Sequence, residues 1–590
     1  MIDLKNSPFY LSDGDIEWVL RTLDGMTDEE KIGQLFCPLG ITGSRRALKR
    51  LTREIGVGGI MYRPSKAANA QKIHAFLQSD SKIPLLIAGN LESGGNGAAA
   101  EGTNFGMPLQ VAATGDSKNA YRLGAVACSE GAAIGLNWAF APVVDVDLNF
   151  RNPITNLRTF GSGADTVIDM AGQYIRAASE RGVAACIKHF PGDGADERDQ
   201  HLVTSVNDLT CGEWDKIYGK IYSALIAGGI KSIMVGHIAQ PAYQEFFDGG
   251  KNADKIIPAT LSKELMTDLL RGRLGFNGLT VSDASSMTGF RSAMKREDAV
   301  PLCIASGADM FLFNRDGDYE YMLKGYRGGV ITKQRLDEAV TRILALKASL
   351  RLHVKAAQGS LVPPIERIKT DINSPQARLW AAECADKSVT LVKDTQGLLP
   401  LSPSKYKRVY LNVLEPDDDI SSPLRRALKE RLERAGFTVA VRDRAAIAGL
   451  QALASPSASV FKKAAALFKA RKAIPELIGP SEEFISKYDL VIYAANFETA
   501  SDTTVIRINW KGFKGMGNDA PWFAAELPVV FISLANPYHL LDVPMIKTYI
   551  NAYTNSPAVL DTVVDKITGG SRFEGVSPVD AFCGRKDTAY

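Results

Sequence analysis

Residues 183–201 read VAACIKHFPGDGADERDQH. A short apolar run, 183–187, ends in Lys188-His189, turns at Pro191-Gly192 and opens into a polar loop carrying Asp199 and His201. An unbroken apolar run of this length is how a strand buried on both faces reads, and helix-covered parallel sheets are made of such strands. The same succession recurs over the first 350 residues. Further apolar runs lie at 33–39, 57–62, 84–88, 137–146, 232–235, 278–281 and 308–313, and helical spacing fills 45–55, 67–77, 119–134, 166–181, 262–274 and 335–350. Eight strands alternating with helices predict an α/β fold, a (β/α)8 barrel of the TIM type, whose sites lie at the C-terminal strand ends.

Polar residues stand where that rule puts them. Asn90 and Glu92 follow the third run, Asp145, Asp147 and Asn149 the fourth, Lys188 and His189 the fifth, His237 the sixth, Asp283 the seventh, and Asn314 and Arg315 the eighth. Such groups at the ends of apolar strands are costly unless they line a shared wet or ligand-filled mouth. One of them alone would be ordinary loop decoration; six strands agreeing point to a site.

Composition narrows the function classes. The 590 residues carry 69 Lys+Arg against 66 Asp+Glu, a net charge of +3, with 45% hydrophobic residues. A disordered chain is excluded, and so is bulk electrostatic binding of nucleic acid, which needs a concentrated basic surface. The 7 cysteines stand singly with no CxxC spacing, so neither a disulfide framework nor a zinc knuckle is predicted. The opening MIDLKNSPFYLSDGD has no basic-then-apolar leader, and no stretch approaches ~18 apolar residues. The expectation is a cytoplasmic protein with no membrane partner.

The polar, proline-bearing stretch 353–378 reads as a linker between a barrel domain, 1–352, and a second domain, 379–590. Strand runs at 408–413, 438–441, 490–494, 529–533 and 548–551, with helices at 423–435, 457–470 and 558–568, predict a C-terminal α/β sandwich, helices on both faces of a mostly parallel sheet (α/β/α). The basic residues Lys462, Lys463, Lys469, Arg471 and Lys472 read as a solvated face rather than a membrane stripe. GFKGMG (512–517) reads as a loop. No GxGxxG or GxxxxGK follows a strand, and strands rarely supply an octahedral oxygen cage, so no organic cofactor and no metal is expected.

Three segments carry the chemistry. In CIKHFPGDGADERDQH (186–201), Asp199 and His201 form an Asp-x-His pair. A carboxylate on one ring nitrogen fixes the tautomer and favours the protonated ring, so the other nitrogen can donate a proton. In GFNGLTVSDASSMTGF (275–290), Asp283 ends a buried strand, where a carboxylate is either a helix cap or a working group. In NWAFAPVVDVDLNFRNPITNLRTFG (137–161), Asp147, Asn149, Asn152 and Arg158 offer the dense directional hydrogen bonding that hydroxyl-rich ligands need.

KHFPG with its downstream DxH, GFNGLTVSDASSM, NPITNLRTFG and AGNLESGG (88–95) together resemble glycoside hydrolase family 3, in its β-N-acetylglucosaminidase branch. The likeness runs from about residue 28 to 350 and continues in SVTLVKDTQGLLPL (388–401) and FEGVSPVD (573–580). The resemblance implies that Asp283 is a nucleophile forming a covalent glycosyl-enzyme and His201 the general acid/base, assisted by Asp199. It implies that Arg158, Lys188 and His189 hold sugar hydroxyls, with Met287 packed nearby and Asn90, Glu92 and His237 in the same sugar subsite. Two positions depart from the family pattern: Asp193 replaces the histidine of PGHG, and Asn90 replaces the aspartate of DxEGG.

The expected activity is a retaining exo-β-N-acetylglucosaminidase acting on peptidoglycan fragments, including muropeptides, or on chitooligosaccharides. A histidine acid/base repels an incoming anion less than a carboxylate does, which leaves inorganic phosphate as an alternative acceptor and a phosphorylase as the variant reading. A β-glucosidase or β-xylosidase of the same family, and a non-catalytic sugar-binding protein, are the remaining alternatives.

Overall fold

The computed structural model describes residues 2–251, 255–416, 422–442, 459–461, 463–465, 467–468, 481–498, 501–508, 510, 512–513 and 516–590. The chain divides into two compact units, the first made chiefly of residues up to 381 and the second chiefly of those from 382 onward.

In the first unit the apolar runs become parallel strands. They are β1 (Phe36–Cys37), β2 (Leu39–Gly40), β3 (Gly59–Tyr62), β4 (Leu86–Gly89), β5 (Trp138–Ala139), β6 (Ala184–Phe190), β7 (Ser232–Val235), β8 (Leu279–Ser282) and β9 (Phe311–Leu312). β1 and β2 are two halves of one run, parted at Pro38, which has no N–H for the ladder. The parallel order β2-β3-β4-β5-β6-β7-β8 continues through a bridge from Val281 to Met310, and β9 pairs with β1. The ring closes as a (β/α)8 barrel. Among its outer helices are Ala67–Asp80, Lys118–Ala133, Ala164–Glu180 and Lys333–Ser349, whose Ala, Leu, Val and Ile stripes are buried against the strands.

Local details differ from the sequence expectation. Run 33–39 starts late, because Gly33 and Gln34 complete helix Asp28–Gln34, which is nucleated by a capping box between Thr27 and Glu30. Of run 137–146 only Trp138–Ala139 pairs as a strand; the residues beyond Ala139 form buried loop, with Val143 bridging Lys188. β6 instead continues through Lys188-His189, so both side chains stand on a strand rather than a loop. Helices Leu352–Ala357, Glu366–Asp371 and Pro375–Ser388 occupy much of 353–378, polar composition being no bar to a surface helix.

The second unit holds a six-stranded sheet of β10 (Thr390–Asp394), β11 (Arg408–Leu414), β12 (Thr438–Val441), β13 (Leu490–Ala495), β14 (Val529–Ser533) and β15 (Thr548–Asn551). Its order is β10-β15-β14-β13-β11-β12, parallel except for edge strand β10. Strand alternation splits the core: Val409, Leu411, Ile492 and Ile532 face Leu428 and Val563 of helices Pro423–Arg434 and Pro557–Ile567, while Tyr410, Tyr493, Phe531 and Tyr549 face Phe484 and Phe523. The segment expected as a loop at 512–517 pairs Gly512–Phe513 with Met516–Asn518. Of the helix expected over 457–470, the described residues 460–461, 463–465 and 467–468 are helical, and Lys462, Lys469, Arg471 and Lys472 lie outside the described residues. Among the described residues no helix is long and apolar enough to cross a membrane.

Candidate active site

Each strand end delivers one part of the site. Beyond β4, Glu92 receives Arg158 in a two-pronged ion pair (2.8 and 2.9 Å) and Lys188 Nζ at 2.6 Å. Burial favours the neutral acid, but the two cations outweigh it and hold Glu92 far below the usual carboxylate range. Burial also works against the Arg158 charge, and Glu92 more than restores it. Glu92 therefore fixes the two cations that face the mouth.

On β6, His189 Nδ1–H donates to Asp145 Oδ2 (2.7 Å), and its backbone N–H donates to Asp145 Oδ1 (3.0 Å). That sets the ring so that Nε2 lies 3.9 Å from Asp283 Oδ2. Asp283 follows β8; its N–H donates to the Val235 carbonyl (2.8 Å) and its Oδ1 accepts from the Ala284 N–H (2.7 Å). Burial alone would raise its carboxyl, yet His189, His237 and His201 around it bring it below its ordinary value, and it is ionised at neutral pH.

His237, after β7, has both ring nitrogens engaged: Nε2–H donates to the Ala284 carbonyl (3.0 Å) and Nδ1 accepts from the Thr260 hydroxyl (2.9 Å). Burial brings the ring below an ordinary histidine, against the charge of Asp283. The ring braces the backbone next to Asp283, and a hydrogen bond from it to a sugar would have to displace one of these partners. Met287 is buried and precedes the short helix Thr288–Arg291. Asn90 follows β4 directly and is half-buried.

The loop after β6 carries the pair read from sequence. His201 Nδ1–H donates to Asp199 Oδ1 at 2.7 Å, and the His201 backbone N–H donates to the same oxygen at 2.8 Å. Burial disfavours the imidazolium, but the hydrogen bond and charge of Asp199 outweigh it, raising His201 above an ordinary histidine. Thr288 and Gly289 donate backbone N–H groups to the carbonyls of His201 and Gln200, which ties the loop to the helix beyond Asp283. The site thus combines an ionised carboxylate, a histidine poised to carry a proton, and two cations set by a third acid.

A match to the glycosyl hydrolase family 3 N-terminal domain spans residues 27–346, the whole barrel that carries these groups. The chain belongs to glycosyl hydrolase family 3. It is 45% identical, over the full length of both chains, to a β-N-acetylglucosaminidase/β-glucosidase of Cellulomonas fimi. The solved structure of the β-glucoside phosphorylase BglX is 41% identical and superposes with a TM-score of 0.88, covering 99% of each chain. A family 3 β-N-acetylglucosaminidase from Paenibacillus sp. str. FPU-7, 23% identical, shares the fold at a TM-score of 0.73 over 94% of this chain and 99% of its own.

Within this family 3 barrel, sequence reasoning missed several supporting residues. Asp145, which orients His189, shows in the sequence only as one of two acids beyond the fourth run, and Thr260 gives no signal at all. Asp502, which counts with the barrel's own compact unit, donates its backbone N–H to Asp199 Oδ2 at 2.7 Å. A backbone donor has no residue type to betray it.

Proposed function

We propose that this family 3 enzyme removes terminal β-linked N-acetylglucosaminyl residues, and β-glucosyl residues as a second specificity, with retention of configuration. The observation that carries the reading is the opposed electrostatics of Asp283 and His201 at one barrel mouth: the carboxyl is brought below its ordinary value and the imidazole raised above its own. Two titratable groups pushed apart in this way divide into nucleophile and acid.

In the first step an Asp283 carboxylate oxygen attacks the anomeric carbon. The bond to the leaving oxygen breaks, and His201 Nε2–H supplies that oxygen's proton. Asp199 stabilises the imidazolium and keeps Nε2 facing the mouth, where that nitrogen has no protein partner among the described residues. Arg158, Lys188 and His189 grip sugar hydroxyls, Arg158 and Lys188 held rigid by Glu92 and His189 by Asp145. In the second step neutral His201 takes a proton from water, and the hydroxide oxygen displaces Asp283 from the anomeric carbon. Peptidoglycan fragments and chitooligosaccharides carry the required terminal sugar.

Phosphorolysis is the second reading. Its support is a histidine in place of an anionic acid/base, together with the likeness to a β-glucoside phosphorylase across the whole chain. A phosphate oxygen then displaces Asp283 and leaves the sugar as its 1-phosphate. Product analysis of the enzyme on aryl β-N-acetylglucosaminide and β-glucoside, with and without phosphate, tests both readings. Free sugar alone at saturating phosphate ends the phosphorolysis reading, and no turnover of either glycoside ends both.

A further inference from the structure

Asp193, one of the two positions that depart from the family pattern, sits at the first bend of the loop that ends in Asp199-Gln200-His201 and is 1% exposed. Its Oδ1 accepts from Asn152 Nδ2 (2.9 Å) and from the Gly194 N–H (2.7 Å). Its own N–H donates to Asp145 Oδ1 (2.8 Å), and its carbonyl accepts from the Tyr218 hydroxyl (2.6 Å). Oδ2 faces Gln200 Nε2 at 3.5 Å.

These contacts join two loops of different strands. Asn152 Nδ2 also donates to the Asp196 carbonyl (2.8 Å), farther along the acid/base loop. Asn152 Oδ1 accepts from the N–H groups of Ile154 and Thr155 (both 2.8 Å), opening the turn that presents Arg158. Gln200, next to His201, accepts the His237 N–H at 2.8 Å through its Oε1. The join has no slack at its centre: Gly194 has φ +112, and a Cβ there would stand 1.8 Å from the Val146 carbonyl oxygen. Burial and the neighbouring Asp145 carboxylate push Asp193 up to about 7, with His189 acting in the opposite sense. Every partner of its two carboxyl oxygens is an N–H donor, so what the position needs is an accepting oxygen.

We propose that Asp193 is a positioning residue that clamps the loop bearing His201 to the turn bearing Arg158, keeping the proton donor and the sugar-holding cation in one register. The proposal rests on His201 acting as the acid. The test measures kcat and KM for wild type, His201→Ala, Asp193→Ala, Asp193→Asn and Asn152→Ala on two substrates. One is a dinitrophenyl glycoside, whose leaving group needs no proton; the other is an unactivated disaccharide, whose leaving group does.

His201→Ala should lose mainly the disaccharide reaction; equal losses there would remove the acid assignment and this proposal with it. Asp193→Ala should reproduce the split, with disaccharide kcat falling about 10- to 100-fold and dinitrophenyl kcat less than about five-fold, since small misplacements of a proton donor carry such costs. KM should rise on both substrates as Arg158 loosens. Asp193→Asn keeps an accepting oxygen and should recover most of the loss. Asn152→Ala, which removes the same hydrogen bond from the other side, should show the same split. A lower thermal midpoint in both alanine variants with no split, or an asparagine variant as poor as alanine, overturns the proposal even where His201 behaves as the acid.

Discussion

Asp199 uses its two oxygens differently: Oδ1 takes both N–H groups of His201, and Oδ2 takes the Asp502 backbone N–H. The first contact raises His201 against burial, so its proton is present at low pH and lost as pH rises through the raised value. Glycoside cleavage that needs an acid therefore declines on the alkaline side. Asp199→Asn removes most of what opposes burial and leaves only the charge of Asp283, so the alkaline limb of kcat/KM should move to lower pH, with a loss on the order of 10- to 100-fold at neutral pH on unactivated substrates. A pH–rate profile of the two proteins checks it; an unmoved limb would assign it to another group. Glu92 has a different duty. Glu92→Gln removes the one carboxylate in direct contact with both Arg158 and Lys188, a change of the kind that costs about 3–5 kcal/mol. KM should rise and the thermal midpoint fall, read by steady-state kinetics and calorimetry.

Strands and helices set where those residues stand. Asp309, just before β9, receives Arg271 of Glu264–Arg273 (2.7 Å) and Arg335 of Lys333–Ser349 (2.6 Å), with Arg342 at 3.6 Å. It pins two outer helices to the barrel, and the three cations bring it below its usual range despite burial. Asp309→Asn should leave buried positive charge unmatched and destabilise the fold by about 3–5 kcal/mol, visible as a lower midpoint in chemical denaturation with KM nearly unchanged. Elements of this kind are legible in the sequence where the apolar run stands alone. Ser232–Val235 matches its expectation at both ends, and Val529–Ser533 and Thr548–Asn551 do so in the second unit. Run 137–146 reads too long, since an apolar stretch can be buried as loop just as well as strand and periodicity does not separate the two. β6 reads too short, because Lys188 and His189 look like a strand's end until Glu92 and Asp145 give their charges a buried partner.

For the molecule as a whole, 69 basic and 66 acidic residues leave little net field to steer a substrate. With an uncharged glycoside, kcat/KM should change less than about two-fold between about 20 and about 200 mM sodium chloride, measured without phosphate. A steep decline would point to a charged natural substrate. The order of strands and helices, the two-part plan and the residues that bear protons and charge were all determined by the chain itself, because apolar runs, turn residues and an Asp-x-His spacing act over a few neighbouring positions. Which charges meet was decided only by tertiary structure. Arg158 finds Glu92 across 66 residues, His189 finds Asp145 across 44, and the Asp502 N–H finds Asp199 across 303. A hydrogen bond acts over about 3 Å and is indifferent to separation along the chain, so these groups become neighbours only once the chain has folded.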